Sequence, residues 1–319
     1  MKYAREKAPE EGIRQLNIRS WRHLESVIIV KRGVLRAVAS AAGRYYKPFE
    51  KGKKLRPFQK QHVSKKIRVI DNPQDPLKTL QKQIQKKLLS SVELPTHMLG
   101  GVSGRTIRDN IMIHQGAPVV VTMDIKSFFP SVTNQQVYSV WRNLLGCSPR
   151  ISKVLTKLTT YRGKLPQGAS TSTMLANLVL SFVDVDIRKA CATRGITYST
   201  WVDDLAFSGE KAREMIPIVV SVLHDHGFSV SHKKIKVMGP GDAKMLHNLV
   251  VSRTARVSRS YLSQTQSGIH KLRTKGVPPR NRARYVRALK GRIHYIAALR
   301  QNIGARLTSQ LDAALSQDV

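Results

Sequence analysis

At 319 residues with an ordinary apolar share of 41%, the chain can bury a large core, which excludes the disordered classes. Its 55 lysines and arginines face only 20 acids, and a formal charge of +35 repels itself unless a polyanion neutralises it; nucleic acid is the commonest such partner. No long apolar span or amphipathic anchor with interfacial tryptophans argues for a membrane, and no apolar signal core follows the N-terminal Met-Lys-Tyr-Ala-Arg-Glu-Lys. Cys147 and Cys191 lack metal-ligand spacing, so they are expected as buried thiols in a reducing, cytosolic compartment.

Residues 1–46 carry two helical patterns, the second running through Leu24, Val27, Ile28, Val34, Leu35 and Val38 to an end near Gly43. From Lys47 to Val69 basic and apolar residues alternate, ending in Lys65-Lys66-Ile67-Arg68-Val69-Ile70. That pattern suits an exposed strand with one cationic face, either a solvated edge or a finger gripping phosphates. Asn72-Pro73 ends it, and Asp75-Pro76 opens a helix rich in Gln and Lys. Gly100-Gly-Val-Ser-Gly104-Arg105 lacks the Gly-Lys-Ser/Thr of a P-loop and is read as an ordinary loop before a short helix through Asn110 and His114. His114 is read as a hydrogen-bonded structural histidine in preference to a ligand.

Val119-Val-Val-Thr-Met-Asp124 places an acid at the end of a buried strand, where a carboxylate is costly unless paired or metal-bound. Phe128-Phe129-Pro130 sets an aromatic wall just beyond it. Amphipathic segments follow at 134–145 and 151–160. The small-residue loop Leu165-Pro-Gln-Gly-Ala-Ser-Thr-Ser-Thr173 opens a long helix to about Ala192 and admits close approach to its backbone. Tyr198-Ser-Thr-Trp-Val-Asp-Asp-Leu-Ala-Phe-Ser-Gly209 reads as a β-hairpin with two aspartates at its tight turn. A helix near 211–224, a basic turn at Ser231–Lys236 and an apolar strand at Leu249–Val251 come next. From Arg253 onward, fourteen Lys or Arg meet only Asp312 and Asp318. The helix after Pro278-Pro279 gathers Val286, Leu289, Ile293 and Ile296 on one face, leaving one-signed charge for a nucleic-acid backbone.

Three acids on two elements, Asp124 and the pair Asp203-Asp204, form a donor set for two Mg²⁺ ions and in-line phosphoryl transfer. With these motifs in this order, residues 47–253 resemble the reverse transcriptases, and among them the compact bacterial retron type. Asp124-Ile-Lys-Ser-Phe-Phe129-Pro-Ser is similar to the family's first palm motif. Leu165-Pro-Gln-Gly168 with Ala176-Asn177 is similar to its central loop and helix, and Trp201-Val-Asp-Asp204 to its Tyr-x-Asp-Asp. Asn110-Ile-Met-Ile-His114 is similar to the Asn-Ala-x-x-His element of retron enzymes. Three departures stand out: Trp201 for tyrosine, Ile111 for alanine, and His247-Asn248-Leu249 where Val-Thr-Gly is usual. In the later palm motif, Ser231 and Ile235 replace Asn and Thr.

The resemblance implies an α+β right-hand polymerase: a helical lead-in over residues 1–46, fingers over 47–118, a palm over 119–252 with a fingers–palm insertion near 146–168, and a basic helical thumb over 253–319. It implies Asp124, Asp203 and Asp204 as catalytic metal ligands, and Lys66, Arg68, Phe129, Gln167 and Lys234 as nucleotide-binding residues. Within that set Phe129 is the aromatic that excludes a 2′-OH. It implies Asn110, His114, Arg284, Arg287 and Lys290 as RNA-binding residues. The implied activity is copying of a structured noncoding RNA, primed from that RNA's own 2′-OH, to a branched RNA–DNA hybrid. The implied setting is anti-phage defence in a bacterial cytoplasm, with dNTPs as substrates and a separate effector protein. The rivals are another bacterial reverse transcriptase, of a defence or group II intron type, and a non-catalytic RNA-binding scaffold.

Overall fold

The structure is a computed structural model that describes residues 13–52, 67–247, 249–251, 256–274 and 276–316. The lead-in differs from its expected form. Its second apolar pattern is split into α1 (Trp21–Val27) and α2 (Val34–Ser40), because the backbone turns left-handed at Ile29 (φ 54°) and Gly33 (φ 83°). Leu24, Leu35 and Val38 are buried as expected, Val27 is partly buried, and Val34 at the start of α2 is exposed. The indole of Trp21 lies under two guanidinium groups, Arg36 at 4.6 Å and Arg150 at 5.7 Å, which fastens the lead-in to the helix at 149–159.

Strands β1 (Tyr46–Gly52) and β2 (Ile67–Pro73) pair antiparallel with Lys51 opposite Arg68, and most of both strands faces solvent. Helix α3 (Leu77–Lys87) follows, burying Leu77, Leu80 and Ile84. Helix α4 (Ile107–Ile113) begins in a capping box between Thr106 and Asp109 and ends at His114.

The centre is a four-stranded antiparallel sheet, ordered β4 (Thr197–Trp201), β5 (Asp204–Ser208), β3 (Val120–Asp124), β6 (Lys236–Met238). Strand periodicity divides its residues cleanly. Val121, Met123, Tyr198, Leu205 and Phe207 enter the main apolar core, with α5 (Phe128–Ser131), α6 (Asn134–Ser139), α7 (Pro149–Thr159), α8 (Ser172–Ala192) and α9 (Met215–Asp225). Val120, Ala206 and Met238 lie on the other face, in a second cluster with Leu246 and Leu249. Asp124, Ser199, Trp201, Asp204 and Ser208 share that second face by the same alternation. One residue of slip would send both acids into the core.

A small sheet, β7 (Met245–Leu246), β8 (Leu249–Val250) and β9 (Arg256–Val257), leads to α10 (Arg259–Arg273), α11 (Pro279–Leu299) and α12 (Gln301–Ser316). These three helices have their own core, built on Leu272, Leu289, Ile293, Ile296, Leu307 and Leu311. The predicted apolar face of α11 is the buried one. Cys147 and Cys191 are free and buried, and burial pushes their thiols up to about 11 and about 12. Among the described residues no helix is long and apolar enough to cross a membrane.

Candidate active site

Asp124 closes β3, Asp204 opens β5, and the two are register partners across the strand pair; Asp203 sits in the turn from β4 to β5, and its carbonyl accepts from the Ile125 amide at 2.9 Å. Like charges directly opposite each other destabilise a sheet. The turn is also strained, since the β-branched Val202 holds φ 61°. Gly100 braces it: a Cβ there would stand 2.5 Å from the Val202 amide nitrogen, so only glycine lets the 97–100 segment lie against the turn. The glycine loop is thus a packing device, in line with its reading as an ordinary loop.

One cation already answers the acids. Lys234, in the 3₁₀ turn His232–Lys234, donates from Nζ to Asp124 Oδ2 at 2.5 Å. Burial, then the charges of Asp203 and Asp124, push the Asp204 carboxyl up to about 6. Asp203 is raised too, by burial first and by Asp124, with Lys234 and Arg68 acting in the opposite sense. Arg68 on β2 therefore stands within electrostatic reach of the acids, exposed at the strand surface. Lys66 lies outside the described residues.

Gln167 is bound to the same strand. The Asp71 amide donates to the Gln167 carbonyl at 2.8 Å, and the Gln167 amide donates to Asp71 Oδ2 at 3.3 Å. A Cβ on Gly168 (φ 130°) would meet Ile70 Cγ2 at 2.9 Å, so the loop's small residue serves contact with β2. Phe129 is half-buried at the start of α5, edge-on to Phe128, which is itself edge-on to Phe228. Arg284, Arg287 and Lys290 are all exposed on α11, turned away from its buried residues.

Asn110 and His114 are placed differently from the RNA-facing role that the resemblance implied. They are 1% and 0% exposed. His114 bonds Ser208 Oγ through Nδ1 and Ser199 Oγ through Nε2, each at 2.7 Å, and burial lowers its pKa to about 4. Ser199 Oγ also donates to Asn110 Oδ1 at 2.5 Å, and Asn110 Nδ2 meets His247 Nε2 at 2.9 Å. His247 Nδ1 then stands 3.8 Å from Asp204 Oδ2, and its ring centroid is 5.5 Å from that of Trp201. The structure thus brings two of the chain's departures, Trp201 and His247, into contact beside the acids.

Ser199, Ser208 and Asp71 were not singled out from the sequence, and His247 was marked only as a departure from the family's Val-Thr-Gly. The alternation of β4 and β5 does put both serines on the acid-bearing face, whereas nothing in the sequence aligns His247 with Asp204. A cleft of about 320 Å³ opens here, lined by Asp124, Asp204, Lys234, Asn110 and His247. Three carboxylates supply hard oxygen donors of the kind a divalent ion prefers, and their mutual repulsion favours such an ion. Among the described residues, however, no three metal-ligating side chains converge as they stand, Asp124 being turned to Lys234.

A family model described as reverse transcriptase (RNA-dependent DNA polymerase) matches residues 53–266. The chain is 30% identical over 216 residues to the Retron Ec86 reverse transcriptase of Escherichia coli, covering 66% of this chain and 67% of that one. It is 28% identical over 222 residues to the Retron Se72 reverse transcriptase of Salmonella heidelberg, covering 67% and 56%. It is 31% identical over 266 residues to the Retron Mx162 reverse transcriptase of Myxococcus xanthus, covering 72% and 54%. The matched part is thus little more than half of the latter two relatives.

Proposed function

The chain belongs to the reverse transcriptase family, the RNA-dependent DNA polymerases with a right-hand fold, as a bacterial retron-type member, and from that membership we propose that it copies part of a cognate structured noncoding RNA into single-stranded DNA. In this reading synthesis starts from a 2′-OH of that RNA, and the protein acts in the cytoplasm with a separate effector in anti-phage defence. The observation that carries the catalytic part is the cross-strand opposition of Asp124 and Asp204, with Asp203 in the adjoining turn. Asp124, Asp203 and Asp204 would hold two Mg²⁺ ions. When bound, such ions activate an attacking hydroxyl and steady the departing pyrophosphate.

The remaining roles fall to the chain's own side chains. Lys234, already seated on Asp124, supplies positive charge next to the acids, where a leaving phosphate gathers negative charge. Arg68 contacts the incoming triphosphate from β2, and Lys66 belongs to the same proposed grip. Gln167, tied to that strand through Asp71, positions the nucleotide between the two. Phe129 presents its ring edge to the sugar and disfavours a 2′-OH by contact. Arg284, Arg287 and Lys290 bind the RNA–DNA backbone from α11. The proposed organisation is a lead-in to residue 46, fingers to 118, a palm to 252 and a thumb beyond.

Extension of a primed RNA template with Mg²⁺ and dNTPs tests the activity, and sequencing of RNA that copurifies tests the template. Asp203→Asn with Asp204→Asn is expected to abolish extension while RNA affinity stays within about twofold of the parent, since neither acid attracts phosphate. Extension by the double variant would refute the assignment of the acids.

A further inference from the structure

The Asn110–His114 element is buried, polar and fully engaged, and its hydrogen bonds have a direction that can be worked out. His114 is neutral near pH 7 and uses both ring nitrogens, so one donates and the other accepts. Ser199 has a single proton, and it is given to Asn110 Oδ1. Ser199 Oγ must therefore accept from His114 Nε2–H, which leaves Nδ1 of His114 to accept from Ser208. With Oδ1 of Asn110 engaged by Ser199, its Nδ2 donates to His247 Nε2. A neutral His247 then carries its proton on Nδ1, the atom 3.8 Å from Asp204 Oδ2.

The reverse direction, with the Asn110 amide turned over, is also self-consistent along the chain. It would leave the Nδ1 lone pair of His247 facing a carboxylate, which is electrostatically unfavourable. The forward direction sets an N–H dipole there instead. At 3.8 Å this is an approach rather than a formed hydrogen bond, and a modest rotation of the Asp204 carboxyl would complete it. The Trp201 ring lies beside the His247 ring, tilted, with centroids 5.5 Å apart.

We propose that Ser208, His114, Ser199 and Asn110 form a one-directional hydrogen-bond chain that fixes the tautomer of His247, and that His247 so fixed is a positioning residue for the Asp204 carboxylate. The Asn110–His114 element is then an internal brace of the acid cluster rather than a contact for RNA. Trp201 and His247 act as one unit, the indole packing against the imidazole that faces Asp204. This inference rests on the reading of Asp204 as a metal-binding acid.

The test uses the full-length chain labelled with ¹⁵N-histidine, since imidazole nitrogen shifts distinguish the two tautomers. His247 is expected as Nδ1–H and His114 as Nε2–H; a wild-type His247 protonated on Nε2 overturns the proposal. Asn110→Asp keeps the acceptor for Ser199 but replaces the donor to His247 with a second acceptor. The His247 tautomer should then flip, Mn²⁺ affinity measured by electron paramagnetic resonance should fall, and kcat should drop about 10- to 100-fold. RNA affinity should stay within about twofold. Unchanged kcat, or a loss of RNA binding in step with activity, would also overturn it.

Two further variants guard against a simple folding defect. His247→Gln retains a donor and an acceptor and should keep more Mn²⁺ affinity and activity than His247→Phe, which retains only the ring packing on Trp201. Equal loss in both refutes the positioning role. Asp204→Asn separates the two claims: an active Asp204→Asn sinks the metal reading itself, whereas an inactive one beside an unaffected Asn110→Asp sinks only the brace.

Discussion

The acid cluster should cost the protein stability, and removing one of its charges should return it. Asp204 is shifted from the ordinary 3.8 to about 6. Each tenfold change in an ionisation equilibrium is worth about 1.4 kcal/mol, so the ionised carboxylate would be disfavoured by about 3 kcal/mol in the folded chain. Its side chain is 49% exposed, so solvent screens the shift, and about 1–2 kcal/mol is the better expectation. The sign follows from proton linkage. A carboxyl whose folded-state pKa is raised holds its proton more tightly in the folded form. Stability is therefore greatest at acid pH and declines as pH rises from about 4 through about 6. Asp204→Asn lacks that decline. In metal-free buffer at pH 7.5 it should melt about 2–8 °C above the parent, at about 2–4 °C per kcal/mol for a large domain, and the difference should shrink towards pH 5. Mg²⁺ should narrow the gap from the other side by raising the melting temperature of the parent alone. Thermal melts at the two pH values with and without Mg²⁺ decide it. A variant that melts below its parent at pH 7.5, or that gains equally at pH 5, would refute the account of Asp204 as a carboxylate held at a cost.

Three other outcomes are expected. Replacing Arg284, Arg287 and Lys290 together with alanine should lower RNA affinity and reduce the slope of log affinity against log salt by about 2–3, roughly one per lost phosphate contact; filter binding across a salt series measures it. Gly100→Ala should destabilise the fold by about 1–3 kcal/mol in chemical denaturation, because its Cβ meets the backbone of the Val202 turn rather than a flexible side chain. Phe129→Val should raise ribonucleotide incorporation relative to deoxyribonucleotide in primer extension, with little change in melting temperature because Phe129 is only half-buried.

The parts of the molecule legible in the sequence are those governed by short-range pattern. An apolar run ending in Asp124 and a β-branched hairpin around Asp203-Asp204 become β3, β4 and β5, because period-2 alternation both forms the strands and sorts their faces. The buried face of α11 follows likewise from helical spacing. The split between α1 and α2 was not legible, since apolar periodicity continues across a break made by two left-handed residues. The setting of Asn110 and His114 was legible only in part. Their resemblance to a retron element marks both residues and implies contact with RNA, whereas their burial is a tertiary property that the motif does not carry. His247 was the least accessible: its approach to Asp204 depends on how β7 and β8 lie against the central sheet, and no local pattern carries that.

The overall charge and the acid cluster are two sides of one requirement. A chain of +35 attracts a polyanion almost anywhere on its surface, so affinity alone selects no reaction site. The cluster reverses the local sign. Phosphates drawn in by the basic surface are repelled where Asp124, Asp203 and Asp204 stand, unless a cation intervenes. Among the described residues Lys234 and Arg68 ease those acids, two positive charges against three carboxylates. Under the proposed function, a divalent ion held by the acids would supply the positive charge that lets a nucleotide's phosphates approach the strand end. It follows that nucleotide affinity should depend on the divalent ion far more steeply than RNA affinity does, because Arg284, Arg287 and Lys290, the proposed RNA contacts, are exposed cations that need no ion between them and a phosphate.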